Sequence, residues 1–147
     1  MKTWTINILI KDDLVCLGLK KRGHGVNKWN GFGGKVVNES IEDGAKREVF
    51  EEIGVNVITT KKLGDIVFKD NDMLLGDCYV FLVTSWEGEP TESDEMKPAW
   101  FSKNEIPYAS MWECDKHWLP LVLNNEEFKA TFTYDGDVLK SYSLSKL

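Results

Sequence analysis

A chain of 147 residues with 42% hydrophobic residues, 12% aromatics and six tryptophans has the length and apolar content for one domain and excludes a disordered polar chain. Its 24 acids against 18 bases leave a net charge of −6, which forfeits the counterion release behind generic nucleic-acid binding and argues against a basic membrane-surface binder. Cys16, Cys78 and Cys114 lie far apart with no C-x-x-C pair, and only His24 and His117 accompany them. This excludes a thiolate zinc site, argues against a disulfide scaffold, and points to a reducing, cytoplasmic compartment.

In chain order, Lys2 precedes an apolar stretch from Trp4 to Ile10, but Lys11, Asp12 and Asp13 interrupt it and no small-residue cleavage site follows. No run approaches a membrane span, so the segment reads as a strand rather than a targeting sequence. Thr5 to Ile10 alternates, and Val15 to Leu19 follows a short turn as a second strand. A helix is predicted from Ser40 to Ile53, because Ser40-x-x-Asp43 resembles a capping box and Gly54 suits the position after the helix. Cys78 to Val83 is a continuous apolar run, expected to be a buried central strand. A second helix is expected over His117 to Phe128, with Pro120 in its first turns. Lys129 to Tyr134 and Val138 to Leu144 flank Asp135-Gly136-Asp137 as a hairpin. The fold class expected is α+β, with helices packed on a mixed sheet in a single domain over residues 1–147.

Charge is unevenly distributed. Residues 1–32 carry six bases and two acids, including Lys20-Lys21-Arg22, whereas residues 56–95 carry three bases and nine acids, ending in a run from Glu87 to Glu95. Such runs are ordinarily solvated faces. They matter here only if another feature demands anion and cation sites together.

Residues 33–55 supply that feature. At about 100° per residue, Glu48 and Glu52 lie one turn apart on one helix face, sharing a sector with Ile41 and Ala45, and Glu51 flanks them. Acids at the edge of a core-facing stripe repel one another and need compensation. Three glutamates alone also fit a solvated helix paired to Lys46 and Arg47. If a cation compensates them, all-oxygen ligands without His or thiolate suit Mg²⁺, with Mn²⁺ able to substitute.

The spacing Gly33-x5-Glu39-x7-Arg47-Glu48-Val49-x-Glu51-Glu52-x-Gly54-Val55 fits the Nudix box at every specified position. A chance match in a chain of this length is on the order of 10⁻⁸. The sequence therefore resembles the Nudix hydrolases. That resemblance implies an α/β/α sandwich with a mixed β-sheet between helices, and Mg²⁺-dependent hydrolysis of a nucleoside diphosphate linked to another group. It further implies metal ligands at Gly33 (through its carbonyl), Glu48, Glu51, Glu52 and Glu95. Glu51 and Glu52 are joint candidates for the base, and Arg47 would orient a box glutamate.

The likeness narrows further along the chain. Lys28 to Lys35, Glu92 to Pro98 with Trp100-Phe101, Met111-Trp112 and Trp118-x-Pro120-Leu121 are similar to the MutT-homologue type of oxidised purine nucleoside triphosphatase. This implies hydrolysis of 8-oxo-dGTP, 2-oxo-dATP and similar nucleotides to monophosphate and pyrophosphate, which sanitises the nucleotide pool. Carried over by position, Asn30 bonds the base, Trp112 stacks on it and Asp115 addresses its Watson–Crick edge. Thr5 and Lys20 lie near the sugar, and Lys35 and Phe68 are further substrate-binding candidates. The expected partner is a small nucleotide and not a nucleic-acid polymer or membrane, and a monomer is expected.

The chain also departs from the pattern. Glu113-Cys114-Asp115 stands where relatives carry Pro-Asp-Asp, His24 replaces an aromatic, and Asp70 and Gly76 replace bulkier apolar residues. The box loop is one residue short, leaving Asn38 to take a left-handed conformation. A Nudix hydrolase of a dinucleotide, nucleotide sugar or methylated purine triphosphate would use the same box. A non-catalytic nucleotide-sensing module would tend to lose box acids, and here all are present.

Overall fold

The computed structural model describes residues 2–147. Eight strands form one mixed sheet: β1 (Lys2–Lys11), β2 (Leu14–Lys20), β3 (Trp29–Asn30), β4 (Asn56–Asp70), β5 (Met73–Glu87), β6 (Met96–Ser102), β7 (Phe128–Asp135) and β8 (Val138–Lys146). Its order is β3-β2-β1-β5-β4-β7-β8, with β6 on the other edge of β2. The β1–β5 and β4–β7 pairs are parallel and the rest antiparallel.

Period-two alternation sends side chains to two separate cores. Ile8, Val15, Leu17, Val80 and Leu82 pack with Trp118, Leu119 and Val122 of α2 (Asp115–Leu123). Their neighbours Leu9, Cys16 and Val83 pack with Val49 and Ile53 of α1 (Ile41–Ile53) on the opposite face. The sheet is thus sandwiched between helices, as expected. This is why Cys78 to Val83 is apolar throughout: that part of β5 is covered on both sides.

Helix α1 starts and stops where its local signals place it. The Ser40 hydroxyl accepts the Asp43 N–H at 3.1 Å, and Gly54 caps the end with φ of 72°. Helix α2 differs from expectation, because it begins at Asp115 and ends at Leu123, and Phe128 opens β7 instead. Asn125 takes the left-handed conformation (φ 57°), with Asn125 N–H on the Val122 carbonyl and Glu126 N–H on that of Leu121. That is a Schellman stop built on asparagine.

Strands β3, β4 and β6 were not expected. Four register shifts against β5 scramble the alternation of β4, and Pro98 disguises β6, an edge strand that tolerates a missing N–H.

One irregularity positions the site. β1 pairs with β2 only at Leu9 to Lys11, after which the two strands part. Residues 32–36 fill the gap: Asn7 and Phe32 exchange backbone bonds, Thr5 N–H donates to the Gly34 carbonyl, and Val36 N–H to that of Thr3. The buried Asn7 side chain adds a bond to the Phe32 carbonyl at 2.9 Å. The glycine-rich segment is thereby laid along β1 in front of α1.

Candidate active site

Close approach explains the glycines of this segment. A side chain at Gly33 would strike the Thr5 carbonyl, and one at Gly34 would stand 2.5 Å from the carboxylate carbon of Glu48. With no Cβ in the way, Gly33 N–H reaches the Glu52 carboxylate at 2.7 Å. Lys20, Gly33, Glu48, Glu51, Glu52 and Glu95 line one cavity of about 330 Å³.

Arg47 organises the helix side of it. Its Nη2 meets Glu39 at 2.6 Å and the Lys35 carbonyl at 3.0 Å, while Nη1 donates to Glu48 at 3.0 Å and Glu51 at 3.2 Å. The hydrogen bonds from Arg47, with that of the Val37 N–H, hold Glu39 below the usual carboxylate range. Asn38 takes φ of 50°, so the shortened box loop turns as expected. Glu95 is clamped by Arg22 through Nε at 2.8 Å and Nη2 at 2.5 Å, which lowers its pKa. Glu52 has no such cation. Burial, together with the charge of Glu48, pushes its carboxyl up to about 8 despite the Gly33 bond. Among the described residues no three potential ligands converge tightly enough to hold an ion as they stand, because Arg47, Arg22 and the Gly33 amide draw the carboxylates to the cavity walls.

A second cavity of about 540 Å³ shares Lys20, Gly33 and Glu52 with the first. Thr5, Asn30, Phe68, Trp112 and Asp115 line it, so the fold brings together these five residues with Lys20. His24 stacks on Trp112 at 5.0 Å, and Lys28 Nζ lies 5.0 Å from the indole centre. The Asn30 amide donates to the Lys28 carbonyl at 2.9 Å, tying the loop back on itself. Thr5 Oγ1 is buried without a partner among the described residues. A fully enclosed hydroxyl without a partner is a local cost to the fold.

Lys35 departs from expectation. It lines neither cavity, its side chain is exposed, and its contribution is the carbonyl bonded by Arg47. Gly76 is likewise absent from the wall, where the Trp4 ring packs against it. Residues overlooked at sequence level are Trp4, packed edge-on to Phe68 at 6.5 Å, and Tyr134, whose hydroxyl accepts the Cys114 N–H at 3.0 Å. Trp4 sits in the strand that carries Thr5, a signal that was available. Tyr134 comes from β7, and nothing local to it announces the contact.

Comparison with known proteins agrees with this geometry. The family profile described as NUDIX domain matches residues 1–122. The chain is 44% identical over 149 residues to an oxidized purine nucleoside triphosphate hydrolase of Mus musculus, covering 99% of this chain and 96% of the relative. It is 43% identical to the protein of that name in Danio rerio, with the same coverage. Among solved structures it resembles a MutT protein from Bacillus halodurans, with a TM-score of 0.87, 30% identity and coverage of 99% and 98% of the two chains.

Proposed function

Because the chain belongs to the Nudix family, we propose that it hydrolyses oxidised purine nucleoside triphosphates to monophosphate and pyrophosphate, so cleansing the nucleotide pool. The observation that carries this reading is the junction of the two cavities. An aromatic-walled pocket with a buried acid opens, through Lys20, Gly33 and Glu52, onto a chamber ringed by four glutamates.

The donors fit a divalent cation. They are hard oxygens without histidine or thiolate, and Glu52 is a buried acid with no salt-bridge partner among the described residues. Glu48, Glu51, Glu52, Glu95 and the Gly33 carbonyl would hold Mg²⁺, for which Mn²⁺ can substitute. When bound, the ion supplies charge neutralisation on the polyphosphate and acidifies water.

The chain's own residues supply the rest. Trp112 stacks on the base and Asp115 addresses its edge, with Asn30 and Phe68 completing the pocket and Thr5 in the wall beside the sugar. Lys20, paired with no acid among the described residues, stands where both cavities meet and faces the phosphate chain. Arg47 fixes Glu48 and Glu51, and Glu51 or Glu52 accepts the proton of the attacking water. Tyr134, Gly136 and Asp137, which follow the matched family segment, close the pocket wall, so residues 1–147 act as one domain. The three cysteines are buried and free, which suits a reducing compartment such as the cytoplasm. No described helix is long and apolar enough to cross a membrane.

The test is a hydrolysis panel of normal, oxidised and methylated nucleoside triphosphates, dinucleotides and nucleotide sugars with Mg²⁺. The expected result is preference for oxidised purine triphosphates with pyrophosphate as first product. Orthophosphate with a diphosphate, or preference for another nucleotide class, would overturn it.

A further inference from the structure

The β2–β3 loop, residues 21–28, is fastened at one end to the acidic chamber and at the other to the base pocket. Arg22 sends Nε at 2.8 Å and Nη2 at 2.5 Å to the same oxygen, Oε1, of Glu95, which lines the chamber. Lys21 reinforces that attachment: its backbone N–H donates to the Glu95 carbonyl at 2.9 Å, and its ammonium to Glu92 at 2.7 Å and to the Ser93 carbonyl at 2.9 Å. Farther along the loop, His24 stacks on the Trp112 indole at 5.0 Å, Lys28 Nζ lies 5.0 Å from the ring centre, and a side chain at Gly25 would meet the indole at 3.1 Å. We infer that Arg22 is a positioning residue that couples the two cavities: a cation bound to Glu95 fixes Arg22 and, through the loop, the indole on which the base stacks. This rests on the metal and base assignments proposed above.

The loop is built to move as one piece. Its base is closed by Asn27 N–H on the Lys20 carbonyl at 2.8 Å and Lys20 N–H on that of Lys28 at 3.1 Å, and turns inside it join Val26 to Gly23 and Lys28 to Gly25. Gly23, Gly25 and Asn27 take the left-handed backbone of these turns, with φ of 82°, 80° and 67°. A short loop with closed ends and internal bonds has few ways to absorb a displacement at Arg22 before His24 follows it. An exposed ion pair is worth little by itself, and the side chains of Arg22 and Glu95 are 64% and 46% exposed. Here the pair belongs to a network with Lys21, Glu92 and the backbone, and the guanidinium takes only Oε1, so that an ion and Arg22 can share the carboxylate.

The coupling is favourable in sign. Without a cation, Glu95 and Arg22 keep side-chain freedom, and a purine that stacks on Trp112 has to order the loop packed on that indole. With Glu95 held by an ion, part of this ordering is already done, so the second ligand loses less entropy. Linkage makes the effect reciprocal: the ion tightens the base by the factor by which the base tightens the ion. Glu52 borders both cavities and offers a competing route that bypasses Arg22.

The probe is the nucleoside 8-oxo-2′-deoxyguanosine, which has no phosphate for a cation to touch, so any effect of Mg²⁺ on its binding passes through the protein. Calorimetry should show Mg²⁺ binding to the ligand-free chain, and saturating Mg²⁺ should tighten the nucleoside by about fivefold or more. In Arg22→Ala, at its own Mg²⁺ saturation, the factor should fall to about one, and Arg22→Lys, which keeps a cation for Glu95 without the fork, should recover part of it. With 5-fluorotryptophan incorporated, the ¹⁹F resonance assigned to Trp112 by its loss in Trp112→Phe should shift on Mg²⁺ addition in the wild type and stay fixed in Arg22→Ala. Mg²⁺ binding with an unmoved Trp112 resonance and unchanged nucleoside affinity overturns the inference. So does coupling that persists in Arg22→Ala, which would run through Glu52. An Mg²⁺-dependent Trp112 shift without nucleoside binding overturns the base assignment and leaves the Arg22 link standing. Absence of Mg²⁺ binding by calorimetry overturns the metal site itself, and the inference with it.

Discussion

Glu52 accepts the backbone N–H of Gly33 at 2.7 Å across nineteen residues of chain. This bond joins the segment laid along β1 to the last turn of α1, and it fixes the one box glutamate that lies on the boundary between the two cavities. A carboxylate so placed borders both the acidic chamber and the aromatic-walled pocket.

Glu52→Gln should lower kcat by roughly two or more orders of magnitude with the fold retained, and Glu51→Gln to a similar degree. Steady-state turnover at saturating Mg²⁺, with circular dichroism as the folding control, makes the comparison. Near wild-type turnover in both variants would remove the metal-site assignment.

Metal removal should expose a pH dependence of stability. The Glu52 carboxyl sits at about 8 in the metal-free fold against an ordinary 4.5. Between those values the folded chain keeps a proton that the unfolded chain releases. The stabilisation from this group is therefore complete below about 4.5 and is lost as pH rises through about 8. In chelator, wild-type Tm should drop relative to Glu52→Gln by roughly 5 °C between about pH 5 and about pH 8.5. Mg²⁺ with a nucleoside monophosphate should raise the wild-type Tm again by ligand linkage. Parallel Tm curves for the two proteins in chelator would refute the assignment of Glu52.

Gly34→Ala tests the close approach directly. The added methyl meets the flexible end of Glu48 rather than backbone, so the fold should tolerate it while the carboxylate is displaced. A shift of about 1 Å in a metal ligand can cost up to about a hundredfold in rate. The expected result is a loss of about tenfold or more in kcat with Tm unchanged; equal losses of Tm and activity would point to a packing role instead.

Arg47→Lys keeps the charge and loses the fork. A single ammonium cannot serve Glu39, Glu48, Glu51 and the Lys35 carbonyl together. Turnover should fall by about tenfold or more, and the Mg²⁺ concentration needed for half-maximal rate should rise. Unchanged Mg²⁺ dependence would mean that Arg47 does not orient the ligands.

Trp112→Ala should raise KM for every purine nucleotide together, by about fivefold to about 150-fold, because stacking ignores the edge pattern. A loss confined to one base would place the indole at the base edge rather than its face.

Helix α1 with its acids was legible in the sequence because its signals are local. The Ser40 cap, the Gly54 stop and the angular spacing of Glu48, Glu51 and Glu52 each depend on neighbours within a turn or two. The hairpins and the doubly buried strand were legible for the same reason, since alternation and continuous apolar runs report burial along one segment. Strand β4 was not, because its register shifts respond to strands on either side of it rather than to its own pattern. The helix α2 stop at Asn125 was equally hidden, as an asparagine in the left-handed region substitutes for the glycine that would have announced it. What tertiary structure alone decided is the splaying of β1 from β2, which admits the glycine segment, and the meeting of Tyr134, Cys114, Asp115 and Trp118. Sequence placed Asp115 near a base and left Lys35 there as well. Only packing shows that Lys35 gives its carbonyl to Arg47 and that one oxygen of Asp115 receives both the Trp118 indole and the Cys114 thiol, because hydrogen-bond partners in a buried site are set by which strands and helices are brought side by side.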